Sequence, residues 1–193
     1  MELISTGSDN LDLILNGGLP RRGSYLLRGA PGTGKTVLSN QMAFNHAKNG
    51  EKVLYLSGLA ENNDTYIYHL SSFSFFQAED LNKNIFYYSI LTLIEESSKV
   101  DEMVDRLIEQ IQKIDASLLI IDSLQSFDPF FSKKEDIRIL INKLKAASTV
   151  IDLTMIVMQT TGSQEYHKEA SDLDGIIELS LEAFEQKRVR MVE

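Results

Sequence analysis

The sequence contains no cysteine. That absence excludes a disulfide framework, a thiolate zinc site and a cysteine nucleophile, and it suits a reducing compartment. Histidine is scarce as well. His46, His69 and His167 stand far apart, none at ligand spacing from another, which argues against a zinc enzyme. Proline occurs three times, at Pro20, Pro31 and Pro129, each at an apparent element boundary. No apolar run approaches the roughly 20 residues of a membrane helix, and the opening Met-Glu-Leu-Ile-Ser does not read as a signal peptide. The expectation is a cytoplasmic protein without a membrane partner. Basic residues are outnumbered, 19 against 28 acidic, for a net charge of −9. Such a surface repels a phosphate backbone, so DNA is disfavoured as a partner.

What is present points to an ordinary globular protein. The 193 residues are 43% hydrophobic and 24% charged, with no repeat, low-complexity tract or linker. One domain over residues 1–193 is expected. Strand and helix patterns alternate along it. Strands are predicted at Ser24–Arg28, Lys52–Ser57, Ile85–Ile90, Leu118–Ile121, Thr154–Met158, Ile176–Leu181 and Lys187–Val192, the last pairing as a hairpin. Helices are predicted from Lys35 to about Lys48, over Thr65–Phe73, and along two amphipathic stretches. The first carries Val100, Val104, Leu107, Ile108, Ile111 and Ile114. The second carries Ile137, Leu140, Ile141, Leu144 and Ala147. Alternation of this kind implies an α/β fold: a mostly parallel central sheet with helices on both faces, and a C-terminal β-hairpin. Ligands bind such sheets beyond the carboxyl ends of the strands.

The chemistry-bearing residues fall there. Gly29, Ala30, Pro31, Gly32, Thr33, Gly34, Lys35 and Thr36 match the phosphate-binding loop pattern between a predicted strand and a predicted helix. Glycines let successive backbone N–H groups turn toward phosphate oxygens, and the helix N-terminus adds partial positive charge. Lys35 is placed to reach the β- and γ-phosphates of a nucleotide, and the Thr36 hydroxyl to hold Mg²⁺; Val37, in the first helical turn, is a further candidate nucleotide-binding residue. Leu118–Ile121 leads into Asp122, an acid at the carboxyl end of a buried strand and the second candidate Mg²⁺ residue. The bland alternative for Asp122 is a core strand that meets solvent at an aspartate.

Further residues extend the likeness. Ile4-Ser-Thr-Gly7, Leu11-Asp12, Leu15-Asn-Gly-Gly18-Leu-Pro20 and Gly23 precede the loop. Val53-Leu-Tyr55-Leu-Ser57-Gly58, Ile120-Ile-Asp122-Ser123-Leu124 and Asp174-Gly175-Ile-Ile177 follow it. Together these resemble the KaiC and bacterial RadA branch of the RecA-like ATPases, from residue 4 to the C-terminus. The resemblance implies a RecA-like P-loop core, ATP with Mg²⁺, and a homo-oligomer, commonly a ring hexamer with nucleotide between subunits.

The sequence departs from that family at the position of its glutamate pair, one member of which polarises the attacking water. Leu59 and Ala60 stand there, and neither can orient water. Glu61, one residue on, is the candidate catalytic acid, or else a solvated first-turn acid of the next helix. Gln159, closing the strand Thr154–Met158, is a candidate γ-phosphate sensor, or a polar residue that merely ends a buried strand. The resemblance implies a further Lys-x-Arg strand that the given residues do not contain; either the chain is truncated or it lacks that strand naturally. Arg188 and Arg190 are candidate substitutes, more simply read as solubilising charges on an edge hairpin.

Tyr66, Tyr68, Phe73, Phe75 and Phe76 read as core or subunit packing rather than a base-stacking platform, because few basic residues lie among them. The segment 162–172, with Glu165, Glu169 and Asp172 against Lys168, has the wrong composition for a DNA backbone. The leading functional reading is a slow Mg²⁺-dependent ATPase acting as an oligomeric regulatory or assembly switch, with a regulatory protein partner. Three alternatives stand beside it: a non-hydrolysing nucleotide-binding scaffold, a DNA-dependent repair ATPase, and an autokinase using hydroxyls such as Ser123 or Ser126.

Overall fold

The computed structural model describes residues 2–58, 63–97, 99–128, 130–131, 134–161, 172–184 and 187–192. In chain order the elements are β1 (Leu3–Ile4), α1 (Asp9–Ile14), β2 (Leu19–Pro20), β3 (Ser24–Gly29), α2 (Lys35–Ala47), β4 (Lys52–Ser57) and α3 (Asn63–Leu70). They continue with β5 (Ile85–Ser89), α4 (Ile90–Glu95), α5 (Val100–Ile114), β6 (Ala116–Asp122), α6 (Lys134–Val150), β7 (Thr154–Thr160), β8 (Gly175–Phe184) and β9 (Lys187–Val192).

Among the described residues, seven strands form one sheet in the order β5-β4-β6-β7-β3-β8-β9. All neighbours run parallel except β8 and β9, which pair antiparallel as the predicted hairpin. The parallel strands are unbroken apolar runs because both faces are covered. Leu54 and Leu56 of β4, Leu119 and Ile121 of β6, and Met155 and Val157 of β7 pack under α4, α5 and α6. Their alternates Val53, Tyr55, Leu118, Ile120, Ile156 and Met158 pack with Met42, Ala43 and Phe44 of α2 and Leu70 of α3. Each of the fully buried Val, Leu, Ile and Met side chains among them contributes about 1.5–3 kcal/mol.

Helix α5 shows how local pattern becomes packing. Met103, Val104, Leu107 and Ile111, spaced by one, three and four, are its buried stripe, and Asp115 ends it in the left-handed region at φ +58°. Several bounds differ from the sequence reading. β7 continues two residues past Met158, so Gln159 lies within the strand, registered against Arg28 of β3. β8 runs on to Phe184, and β6 begins at Ala116. Sequence reading missed β1, β2, α1 and α4. β1 and β2 are two residues each and exist only through their mutual pairing, Leu3↔Pro20 and Ile4↔Leu19. α1 and α4 are six residues each, too short for a period to show.

The aromatic cluster packs as expected in part. Phe75 and Phe76 lie 5.8 and 5.3 Å from Phe44 of α2, centroid to centroid, whereas Tyr68 is 75% exposed.

Candidate functional site

The glycine loop joins β3 to α2 at the carboxyl end of the sheet. Gly34 is the N-cap of α2 with φ +103°, a conformation that suits glycine, and among the described residues no side chain caps the first-turn N–H groups. Those amides therefore remain a ready site for an anion. Gly29 is closed in more tightly: a Cβ there would lie 2.4 Å from the carbonyl oxygen of Leu179 and 2.7 Å from Thr33 Oγ1. Thr33 itself is buried and donates its hydroxyl to Ala30 O at 2.9 Å, holding the loop's curve. Ala30, Pro31 and Gly32 form the exposed crest, and Val37 lies half-buried in the first turn of α2.

Lys35 folds back over this loop. Its ammonium donates to Gly29 O at 2.7 Å and to Ala30 O at 3.0 Å. Burial pushes Lys35 below its ordinary value, with Asp122 opposing that shift. Carbonyl oxygens are neutral acceptors, and phosphate oxygens would satisfy the charge better.

The loop and Asp122 meet although their strands are not neighbours. β7 lies between β3 and β6 in the sheet, yet the first turn of α2 brings Thr36 Oγ1 within 3.0 Å of Asp122 Oδ2. One hydroxyl and one carboxylate oxygen, side by side next to an anion site, form a donor set of the hard-oxygen kind that Mg²⁺ takes.

Around this pair lies a set of polar side chains that sequence reading passed over. Tyr55, fully buried in β4, donates to Asp122 Oδ2 at 3.1 Å. Burial first, and Asp122 second, raise Tyr55 well above its ordinary value, so it stays a phenol. Asn40 of α2 donates to Thr36 O at 2.7 Å and to the Tyr66 hydroxyl of α3 at 2.5 Å, and accepts from the Tyr87 hydroxyl of β5 at 2.7 Å. Gln125, just past Asp122, clasps Thr160 at the end of β7: its amide oxygen accepts from Thr160 N and its amide nitrogen donates to Thr160 O, both at 3.3 Å. Thr161 N donates to Gly29 O at 3.0 Å, tying that strand end to the loop. A strand tyrosine or a helical asparagine reads as ordinary core or surface in sequence; only the glutamine's nearness to Asp122 could have drawn notice.

The remaining candidates divide. Gln159 is buried in β7, one residue before the clasped Thr160. Ser126 Oγ accepts from Ser123 N at 3.4 Å and would lie 2.3 Å from a Cβ at Gly58, so the chain leaving β4 passes tightly over it. Arg188 and Arg190 fall on β9. Leu59, Ala60 and Glu61, and residues 162–171, lie outside the described residues.

The N-terminal signature also has its physical account. Asp12 of α1 accepts from Ser5 Oγ at 2.5 Å, Thr6 N at 2.8 Å and Thr6 Oγ1 at 2.7 Å, and Gln41 and Asn45 of α2 donate to Gly7 O and Ser5 O. This knot docks the first residues on the helix that carries Lys35 and Thr36.

A parallel sheet topped by a glycine loop, a lysine curled over it and an aspartate beside the loop threonine defines a P-loop nucleotide-binding protein of RecA-like fold. Residues 4–193 match the family described as "ATPase: KaiC", and the chain belongs to that family. It is 35% identical over 122 residues to the DNA repair protein RadA of Campylobacter jejuni, a match covering 63% of this chain but only 24% of that protein. The chain thus spans about a quarter of that relative's length. It is 26% identical over 196 residues to a UPF0273 protein of Pyrococcus horikoshii, covering 93% of this chain and 78% of that one. In shape it superposes on a KaiC-like protein of Pyrococcus horikoshii with a TM-score of 0.83, over 99% of this chain and 86% of the other, at 24% identity. That likeness concerns the fold. Among the described residues, no helix is long and apolar enough to cross a membrane.

Proposed function

We propose that this chain is one ATPase domain that binds Mg²⁺ and ATP, hydrolyses the nucleotide slowly and acts as a regulatory or assembly switch within a cytoplasmic homo-oligomer. The observation that carries the reading is the convergence of Lys35, Thr36 and Asp122 at the uncapped start of α2. Loop N–H groups and α2 amides would cradle the β-phosphate, and Lys35 would leave its carbonyl partners for β- and γ-oxygens. Thr36 and Asp122 would hold the Mg²⁺, which when bound neutralises charge on those phosphates. Water then adds to the γ-phosphorus as the bond to the β–γ bridging oxygen breaks, and the loop amides and Lys35 stabilise the charge that develops. Glu61 is assigned the orientation of that water, and Gln159 the sensing of the γ-phosphate. Family likeness supports a ring hexamer with nucleotide at subunit boundaries and a protein partner that reads its state.

A second reading, a nucleotide-held scaffold without useful turnover, is favoured by Leu59 and Ala60 standing where the family has its glutamates. Steady-state phosphate release from Mg·ATP separates the two, with wild type, Lys35→Ala and Glu61→Gln compared after ATP binding is established. Loss of turnover in both variants supports the ATPase. Wild-type turnover no faster than Lys35→Ala leaves the scaffold. Against a DNA-dependent reading, which relatedness to a DNA repair protein raises, stands the net charge of −9; salt-sensitive DNA binding would favour it instead.

A further inference from the structure

Behind the Thr36–Asp122 contact stands a hydroxyl that the packing alone does not call for. Tyr55 is fully buried in β4, among the side chains beneath α2. Its ring lies 5.1 Å from that of Tyr87 and 6.2 Å from that of Tyr66. A phenylalanine would fill the same volume without the cost of burying an oxygen. What the oxygen adds is its hydrogen bonds. The hydroxyl donates to Asp122 Oδ2 at 3.1 Å, the same oxygen that accepts from Thr36 Oγ1 at 3.0 Å. It is aimed there by α2: Asn40 Nδ2 lies 3.2 Å away, and Ser39 Oγ 2.9 Å. One carboxylate oxygen is thus held from two sides, by the loop threonine and by a strand two places away in the sheet from β7.

We infer that Tyr55 is a positioning residue for Asp122, fixing the carboxylate in the orientation in which it meets the cation. The inference rests on the nucleotide and Mg²⁺ reading above. Its physical basis is preorganisation. A carboxylate already held by two hydroxyls loses less freedom when a cation arrives, and partners one step behind a ligand set both its orientation and its affinity. The contact reaches Asp122 from β4, so Tyr55 needs no contact with nucleotide to act.

Two substitutions separate positioning from packing. Tyr55→Phe and Tyr87→Phe each remove one hydroxyl from the same cluster, but the Tyr87 hydroxyl meets Asn40 and not Asp122. Mn²⁺ serves as the probe, its binding to the protein–ADP complex followed by loss of the free-ion electron paramagnetic resonance signal. ADP affinity in chelator is measured alongside by calorimetry. Tyr55→Phe is expected to weaken Mn²⁺ binding about tenfold. It should leave metal-free ADP affinity unchanged, and Tyr87→Phe should bind Mn²⁺ as the wild type does. Unaltered Mn²⁺ binding in Tyr55→Phe overturns the inference. So does an equal loss in Tyr87→Phe, or a parallel loss of metal-free ADP affinity, since either marks a packing effect. If wild type binds no ADP, the nucleotide reading itself fails and takes the inference with it. If wild type binds ADP but no Mn²⁺, the Mg²⁺ assignment of Asp122 fails instead. Should Tyr55→Phe not fold, Ser39→Ala removes a partner of the same hydroxyl. It should weaken Mn²⁺ binding about twofold to threefold, and no change there overturns the inference.

Discussion

The two ends of the sheet use similar polar residues to opposite effect. At the amino ends of the strands they answer one another. Asp174 accepts from Ser24 N, Ser24 Oγ and Lys145 Nζ within 2.8 Å, and Arg22 pairs with Asp152 at 2.7 Å. His46, at the end of α2, is 2% exposed and meets Glu51 Oε2 and Ser117 Oγ, each at 2.8 Å, while Arg21 holds the same glutamate. Serine, histidine and a carboxylate in contact suggest a hydrolytic triad, but both partners meet Nε2 of the imidazole. A triad needs the two ring nitrogens to serve different partners, so this cluster is a brace. At the carboxyl ends the groups of the phosphate loop meet exchangeable partners instead: Lys35 rests on carbonyls of its own loop, and among the described residues no side chain caps the first amides of α2. Residue type does not separate the ends. Saturation of hydrogen bonds does.

Substitutions at the two ends should therefore part cleanly. The largest effect is expected from Lys35→Ala, which should weaken ADP binding about 100-fold, the scale of a lost charge-assisted contact, with thermal stability little changed. Calorimetric titration reads it, and an affinity near wild type would erase the distinction between the ends. Asp122→Asn should come next. Mn²⁺ binding to the ADP complex should fall about tenfold or more, with metal-free ADP affinity retained in chelator.

At the other end the readout reverses. His46→Ala should cost about 2–3 kcal/mol of unfolding free energy, through lost packing and two partners left in a buried site, measured by urea denaturation. Its ADP affinity should stay within about twofold of wild type; a large loss would mean that the brace and the site are coupled through α2.

The smallest effect is the pH response of that brace. Burial holds His46 below its ordinary value of 6.5, with Arg21 adding to the shift and Glu51 opposing it. Between the folded and unfolded values, the unfolded chain binds a proton that the folded chain refuses, so stability falls as pH drops below 6.5 and is level above about pH 7. Glu51 is also held below its ordinary 4.5: burial raises it, but its hydrogen bond to Arg21, His46 and Ser117 together outweigh burial. Its contribution is therefore lost only at still lower pH. The unfolding free energy from urea denaturation should decline across the His46 window by less than about 1.4 kcal/mol per pH unit, and more shallowly in His46→Gln. Equal slopes would remove His46 from the account.

Much of this molecule was legible in sequence because much of it is locally encoded. Strand Lys52–Ser57 has the bounds read from pattern, and helix Val100–Ile114 contains every apolar position read for it, since a covered strand and an amphipathic helix each print their period in the chain. The loop from Gly29 to Thr36 was legible for a related reason: contiguous backbone must turn in one way around a phosphate, which restricts the residues that serve. Asp122 was legible as a strand-end acid.

What the sequence could not yield is adjacency. That β7 lies between β3 and β6, and that α2 nevertheless carries Thr36 to Asp122, follows from sheet order. So do the pairing of β1 with β2, the Gln125 clasp on Thr160 and the hydroxyl of Tyr55 on Asp122. Periodicity tells which side of an element is buried, not against what. By itself the sequence determined the longer strands and helices and the phosphate loop, through local backbone preference and hydrophobic period. The tertiary structure alone decided which buried polar groups saturate one another as a brace and which stay open to exchange, because hydrogen bonds between distant residues form only once the sheet has set their distances.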